Sequence, residues 1–172
     1  MKKVIVLLAV MVLIASSAVA TVVGTPHDLS GGSGEICRFC HTPHHGETAA
    51  PLWSRNVVAP TAFYTSVTFN GGTAGSGGAS LCLSCHVSGL GSQEANIGTD
   101  LRDDHPVGFS YATSAANDVE IKPIGAGSVQ ALLGGGTFVG CYTCHDVHDN
   151  SNGEFLKMSN ANSAMCKACH IK

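Results

Sequence analysis

The chain has 172 residues, of which only 12% are charged and 6% aromatic, while glycine accounts for 21 residues and cysteine for eight. Acidic residues outnumber basic ones by 12 to 9. This acidic balance argues against nucleic acid or an acidic membrane surface as a partner. With so few aromatic side chains, we expect the chain to lack an ordinary core built from its own residues.

Residues 1–20 have the pattern of a cleaved export signal. Two lysines precede an uninterrupted apolar run at 4–14, and a small-residue cleavage site precedes Thr21. A retained membrane anchor is the alternative, but the apolar run is short for a bilayer span and no second run follows it. We therefore predict an exported mature chain, 21–172, that is not embedded in a membrane. Its predicted location is extracellular or at the cell surface, with the periplasm as the alternative.

Four copies of Cys-x-x-Cys-His then follow, and together they use all eight cysteines. Two thiols at this spacing form thioether bonds to the two vinyl groups of one haem, and the histidine that follows binds the iron. The pattern predicts four covalent c-type haems. The predicted attachment residues are Cys37, Cys40, Cys82, Cys85, Cys141, Cys144, Cys166 and Cys169, and the predicted iron ligands next to them are His41, His86, His145 and His170.

A Cys-x-x-Cys pair can also be half of a zinc site or a redox-active disulfide. Zinc sites need such pairs but do not need a histidine directly after each one. Since histidine makes up nine of 172 residues, four correct placements by chance have a probability on the order of 10⁻⁵. An oxidoreductase motif would not recur four times in so short a chain, so covalent haem is the interpretation that the spacing favours.

Regular secondary structure is sparse between the motifs. Residues 61–69 have a strand-like composition and are predicted as a short hairpin arm. Glycine-rich runs at 71–78 and 134–136 are predicted turns or loops. Residues 161–171 are predicted as one short helix that carries the last motif and is capped by Asn160 or Asn162.

The predicted fold is therefore irregular, with mostly loops and short helices and little sheet, wrapped around a core of four stacked covalent haems. Folding and haem attachment are then expected to be one process, as with structural metals. The aromatic residues predicted to pack on haem edges are Phe39, Trp53, Tyr64, Phe109, Tyr111, Tyr142 and Phe155.

Five histidines lie outside the four motifs. In each half of the chain a histidine precedes one motif, another follows that motif by three residues, and a second motif comes next. This internal repeat predicts two dihaem units, at about 21–100 and 101–172, within a single tetrahaem domain. The predicted distal iron ligands are His27, His44, His105 and His148. His45 falls outside the repeat and is expected at the surface or as an occasional substitute for His44.

The Cys-His-x-x-His arrangement has a geometric consequence. Two intervening residues span at most about 10 Å when extended, which is too short to carry His44 around the porphyrin that His41 binds. If His44 binds iron, it binds the iron of a different haem, and the same holds for His148 beside His145. The sequence therefore predicts haems that lie close together.

The doubled pattern resembles the multihaem cytochromes with paired Cys-x-x-Cys-His motifs, and most of all the small tetrahaem outer-surface cytochromes of metal-reducing bacteria, which polymerise into extracellular nanowires. Further matches are Pro26-His27-Asp28-Leu29-Ser30, Cys40-His41-Thr42-Pro43-His44, Ala50-Pro51-Leu52-Trp53 and Asp104-His105-Pro106-Val107-Gly108. The resemblance implies a continuous haem stack, bis-histidine ligation, and one distal histidine donated by the neighbouring subunit.

Two functional classes follow from these observations. In the first, the protein is an electron conduit rather than an enzyme, either as a filament subunit or as a monomeric periplasmic carrier. In the second, it is a multihaem reductase with one open iron. Enough distal histidines are present to close every iron, and the possible methionine ligands Met158 and Met165 fall outside the repeat, so the conduit is favoured. Its expected partners are further copies of itself and redox-partner cytochromes or extracellular acceptors.

The filament hypothesis assigns a specific role to His27. It is the seventh residue of the predicted mature chain, and a terminus is rarely fixed unless it docks on another group. A head-to-tail contact that does not close produces a filament. We therefore expect His27 to be the histidine that binds the iron of an adjacent subunit.

Overall fold

The computed structural model describes residues 22–48, 51–64, 78–90, 95–125 and 127–171. The helices in these ranges are short, and the longest has eight residues. They are α1 (Ala79–His86), α2 (Tyr111–Asn117), α3 (Val129–Leu132), α4 (Cys141–Cys144) and α5 (Ala164–Cys169), with 3₁₀ turns at Ile36–Phe39 and Ala161–Ser163. The predicted fold of loops and short helices is confirmed, whereas the predicted signal at 1–20 lies outside the described residues.

None of the described helices is long and apolar enough to cross a membrane.

Two pairs of two-residue strands tie distant segments together. Strand β1 (Ala62–Phe63) runs parallel to β2 (Asp100–Leu101), with Ala62 opposite Asp100. Strand β3 (Phe109–Ser110) runs antiparallel to β4 (Phe138–Val139). In the described part of the predicted hairpin arm at 61–69 the short strand β1 forms, and it pairs with a segment far along the chain. The remainder of that arm, 65–69, lies outside the described residues.

The described residues contain two small clusters of buried apolar side chains. In the first, Ala79 and Leu83 of α1 pack with Leu101 of β2. The second consists of Phe109, Tyr111, Val129, Leu133 and Val139. Burial of each larger apolar side chain stabilises the fold by roughly 1.5–3 kcal/mol.

These clusters are small, and the expectation was that the chain lacks an ordinary core built from its own residues. Phe109 and Tyr111 are buried among the chain's own side chains, where the tyrosine hydroxyl also donates a hydrogen bond to the Lys122 carbonyl at 2.8 Å. Tyr64 and Tyr142 are exposed. Packing of the aromatic residues on haem edges stays a prediction.

The last motif is carried by a broken helix rather than the single helix predicted for 161–171. Asn162 and Ser163 have left-handed backbone angles (φ 54° and 58°), which end the 3₁₀ turn before α5 begins. The prediction of an asparagine cap is right in part, because the Asn160 carboxamide oxygen accepts the backbone N–H of Met165 at 3.2 Å, in the first turn of α5.

Glycine ends helix α3 as the composition predicts. Gly134 and Gly135 both have positive φ, 61° and 81°, and the chain turns directly after Leu132. The other glycine-rich run lies outside the described residues except for Gly78, whose left-handed backbone precedes α1.

Candidate functional site

Each of the four motifs lies on a helical turn. The first begins in the 3₁₀ turn Ile36–Phe39, the second and fourth lie in the carboxyl-terminal halves of α1 and α5, and the third coincides with α4. Residues three apart on a helical turn share one face, so both thiols of a motif lie on the same side. None of the eight cysteines is fully buried. This is the arrangement that attachment to one haem edge requires.

Three of the motif histidines are fixed by the same type of hydrogen bond. The Nδ1 atom lies 2.7 Å from the Pro51 carbonyl in His41, 2.8 Å from the Ala95 carbonyl in His86, and 3.0 Å from the Glu154 carbonyl in His145. Because a carbonyl only accepts, Nδ1 carries the proton and Nε2 keeps its lone pair. This tautomer is the one that binds a metal, and the carbonyl orients the ring.

The surroundings of the first and third motifs repeat each other in detail. The residue after the motif histidine donates its N–H to a carbonyl about ten residues later, from Thr42 to Leu52 at 2.9 Å and from Asp146 to Phe155 at 2.7 Å. Leu52 and Phe155 both have positive φ, 58° and 56°. The same backbone loop therefore follows both Cys-His-x-x-His segments.

The rings of three motif histidines each face the ring of a predicted distal histidine. The centre-to-centre distance is 6.0 Å for His27 and His86, 6.1 Å for His41 and His148, and 6.4 Å for His105 and His170. The planes of His41 and His148 are nearly parallel, at 18°, whereas the other two pairs are nearly perpendicular. Three of the four predicted distal histidines thus lie beside a motif histidine.

These distances match a shared metal ion. A histidine nitrogen binds a metal at about 2.0 Å and the ring centre lies about 1.1 Å farther out, so two axial imidazoles have centres about 6 Å apart. Histidine is also an established axial ligand of haem iron. The side chains present in these three places therefore fit the group that the motifs imply.

The fourth motif histidine, His145, has no such partner among the described residues. His44, the predicted distal histidine that remains, is exposed, and so is His45, which has a positive φ of 55°. In the described part of the chain neither ring contacts a motif histidine.

His27 lies against its own chain. Its ring stacks on Phe155 at 4.4 Å and faces His86. Burial lowers the pKa of His27, and the charges of His86 and His145 lower it further, which favours the neutral ring that binds iron. This position runs against the expectation that His27 reaches an adjacent subunit, because its ring already faces a motif histidine of its own chain.

Successive motifs contact one another. The Trp53 indole N–H, near the first motif, donates to the Ser84 hydroxyl inside the second motif at 3.1 Å. A hydrogen bond with Cys82 of the second motif raises the pKa of the Cys141 thiol of the third. Cys169 of the fourth motif packs against the cluster that contains Val139, two residues before the third motif. The attachment points are therefore held close together.

The environment shifts the cysteine thiols in different directions. Burial raises the pKa of Cys40 and of Cys144, whereas a hydrogen bond with Cys141 lowers the pKa of Cys82. Among the described residues no group of three or more Cys, His, Asp or Glu side chains converges on one point.

Residues 135–172, which contain the third and fourth motifs, match the family model of the doubled CXXCH motif. This match supports a multihaem c-type cytochrome. It covers a small part of the chain. The interpretation of the first and second motifs as haem sites therefore depends on their own residues alone. A comparison with curated proteins found no match.

Sequence reasoning missed several residues that shape these sites. The carbonyls of Pro51, Ala95 and Glu154 carry no side-chain signal, because any residue supplies a backbone acceptor. Their separation of nine or ten residues from the motif histidine is the one regularity that the sequence offered.

Proposed function

We propose that the protein is a tetrahaem electron-transfer cytochrome whose irons are closed by histidine on both faces. The observation that carries the proposal is the set of three histidine ring pairs with centres 6.0–6.4 Å apart. The haems, when bound, supply one-electron iron couples that exchange electrons without a bound substrate. The protein's own residues attach the haems, orient the ligands and bring the four sites together.

The ring pairs support a specific set of ligands. His41 and His148 would bind the haem of the first motif, His86 and His27 that of the second, and His170 and His105 that of the fourth. His148 follows the third motif by three residues but faces the first, so the haems of these two motifs would be neighbours. This agrees with the geometric argument that a Cys-His-x-x-His segment serves two different haems.

We further propose that the protein is exported and assembles head to tail into a filament. The support comes from two histidines that, in the described part of the chain, face no partner ring of this kind. His145 faces no distal histidine of its own chain among the described residues, and His44 is exposed. In a filament, His44 of one copy would close the iron beside His145 of the next. We propose His44 rather than His27 as the histidine that binds the iron of the adjacent copy, because the His27 ring faces His86 of its own chain.

A monomeric carrier and a reductase are the competing functions. In the carrier, His44 turns onto the iron beside its own His145. In a reductase, that iron stays open and receives a small oxyanion. All three functions predict that the irons of the other three haems are closed by histidine on both faces. An experiment therefore has to address the iron at His145.

Carbon monoxide added to the reduced protein distinguishes them, because it binds only irons with an open position. We expect separated monomers to bind one carbon monoxide, assembled filaments to bind none, and His44→Ala to remain monomeric with one open haem. His45→Ala, the matched control, should assemble normally. Monomers that bind no carbon monoxide, or filaments that form without His44, would overturn the filament proposal.

A further inference from the structure

Asp146 lies between two predicted iron ligands, His145 and His148. Its carboxylate Oδ1 accepts the backbone N–H of His148 at 3.0 Å and lies 3.7 Å from Nδ1 of the same residue. Its own backbone N–H donates to the Phe155 carbonyl at 2.7 Å. Two backbone hydrogen bonds therefore fix this carboxylate beside the His148 ring.

A carboxylate in this position acts on a metal-bound imidazole. When Nε2 binds a metal, Nδ1 carries a proton and needs an acceptor. At 3.7 Å from Nδ1 the Asp146 carboxylate is beyond hydrogen-bond distance of the ring, so it acts on the imidazole through its charge. Its negative charge stabilises the more positive, oxidised iron. This stabilisation lowers the reduction potential of the haem that the imidazole binds.

The first motif provides an internal comparison. Thr42 occupies the position equivalent to Asp146, and its hydroxyl donates to the His44 carbonyl at 2.8 Å and lies 3.4 Å from the His44 backbone nitrogen. The same turn is thus made by a neutral side chain. The two Cys-His-x-x-His segments share a backbone loop but differ in the charge beside the distal histidine.

We propose that Asp146 is a positioning residue that orients His148 on the haem of the first motif and lowers the reduction potential of that haem. The inference rests on the ligand set proposed above, in which His148 and His41 bind one iron. The charge of Asp146 makes this haem electronically distinct from the haem that His44 serves.

Asp146→Asn is the direct test, because asparagine keeps an oxygen for the His148 backbone N–H and removes the charge. Asp149→Asn is the matched control, since it removes the same charge from the same loop. The Asp149 carboxylate accepts the Ser151 backbone N–H at 2.9 Å instead. Because the substitution removes one nearby charge, we expect Asp146→Asn to shift one reduction equilibrium by about tenfold, or ~59 mV upward for one electron.

The readout is a redox titration in which the four haems are resolved by nuclear magnetic resonance. The haem that shifts in Asp146→Asn should be the same one that becomes high-spin in His148→Ala. An equal shift in the Asp149→Asn control, no shift at all, or a shift of a different haem would overturn the inference. Loss of bis-histidine ligation in the unmodified protein would instead overturn the proposed function, so the two failures are distinguishable.

Discussion

At the scale of the residue, the motif histidines have their tautomer set by the fold. His41, His86 and His145 each place Nδ1 within 3.0 Å of a backbone carbonyl, which leaves Nε2 free for iron. His170, like His41 and His145, also forms an isolated backbone bridge, in its case with Ile121. The motif predicts that these histidines bind iron, but the carbonyl acceptors could not be predicted from the sequence because every residue carries a carbonyl.

His148→Ala tests the ligand pairs at single-residue resolution. The ring faces His41 at 6.1 Å, so its removal should leave one iron with a histidine on one face only. We expect each chain of the variant to bind one more carbon monoxide than the unmodified protein does. One haem should also give a high-spin signal. His45→Ala serves as the control and should change neither property. A spectrum unchanged by His148→Ala would remove His148 from the ligand set.

At the scale of the element, short-range patterns were predictable and long-range pairings were not. Local sequence accounts for the helical turns that carry the Cys-x-x-Cys pairs and for the glycines that end α3. The parallel pairing of β1 with β2 could not be predicted, because two-residue strands carry no periodicity of their own. The break before α5 depends on left-handed angles at Asn162 and Ser163, and serine is not a residue that signals them.

Leu83 connects the second motif to the fold, because it lies between Cys82 and Cys85 and is only 2% exposed. Leu83→Ala should lower the free energy of unfolding by about 2–5 kcal/mol, as for other buried leucines. Leu90→Ala, at a position 37% exposed, should change it far less. Guanidinium unfolding of the haem-loaded protein, followed by circular dichroism, measures both. Equal effects of the two substitutions would show that the first cluster does not support the motif.

At the scale of the whole molecule, side chains from distant motifs meet. His148, just after the third motif, faces His41 of the first, and His27, near the start of the described chain, faces His86 of the second. Such contacts link segments whose separation makes loop closure costly unless something binds them together. Iron bound between two such rings would supply that link, which supports coupled folding and haem attachment.

The candidate distal histidines could be identified from the sequence, but the motif histidines that they face could not. The repeat identified His27, His44, His105 and His148 as a group, since spacing along the chain reveals recurrence. Which motif histidine each one faces depends on how the loops fold in three dimensions. The position of His27 shows the difference: a residue near a terminus was expected to reach outward, yet its ring stacks on buried Phe155.

The central claim is that four haems are covalently attached through the eight cysteines, and the intact mass of the mature protein tests it most directly. After acid denaturation, which removes every haem that is not covalently bound, the mass should equal that of the chain from Thr21 plus four haems. Replacing Cys82 and Cys85 together by alanine should lower the count to three. A mass with fewer than four haems in fully matured protein, or with zinc in their place, would contradict the account.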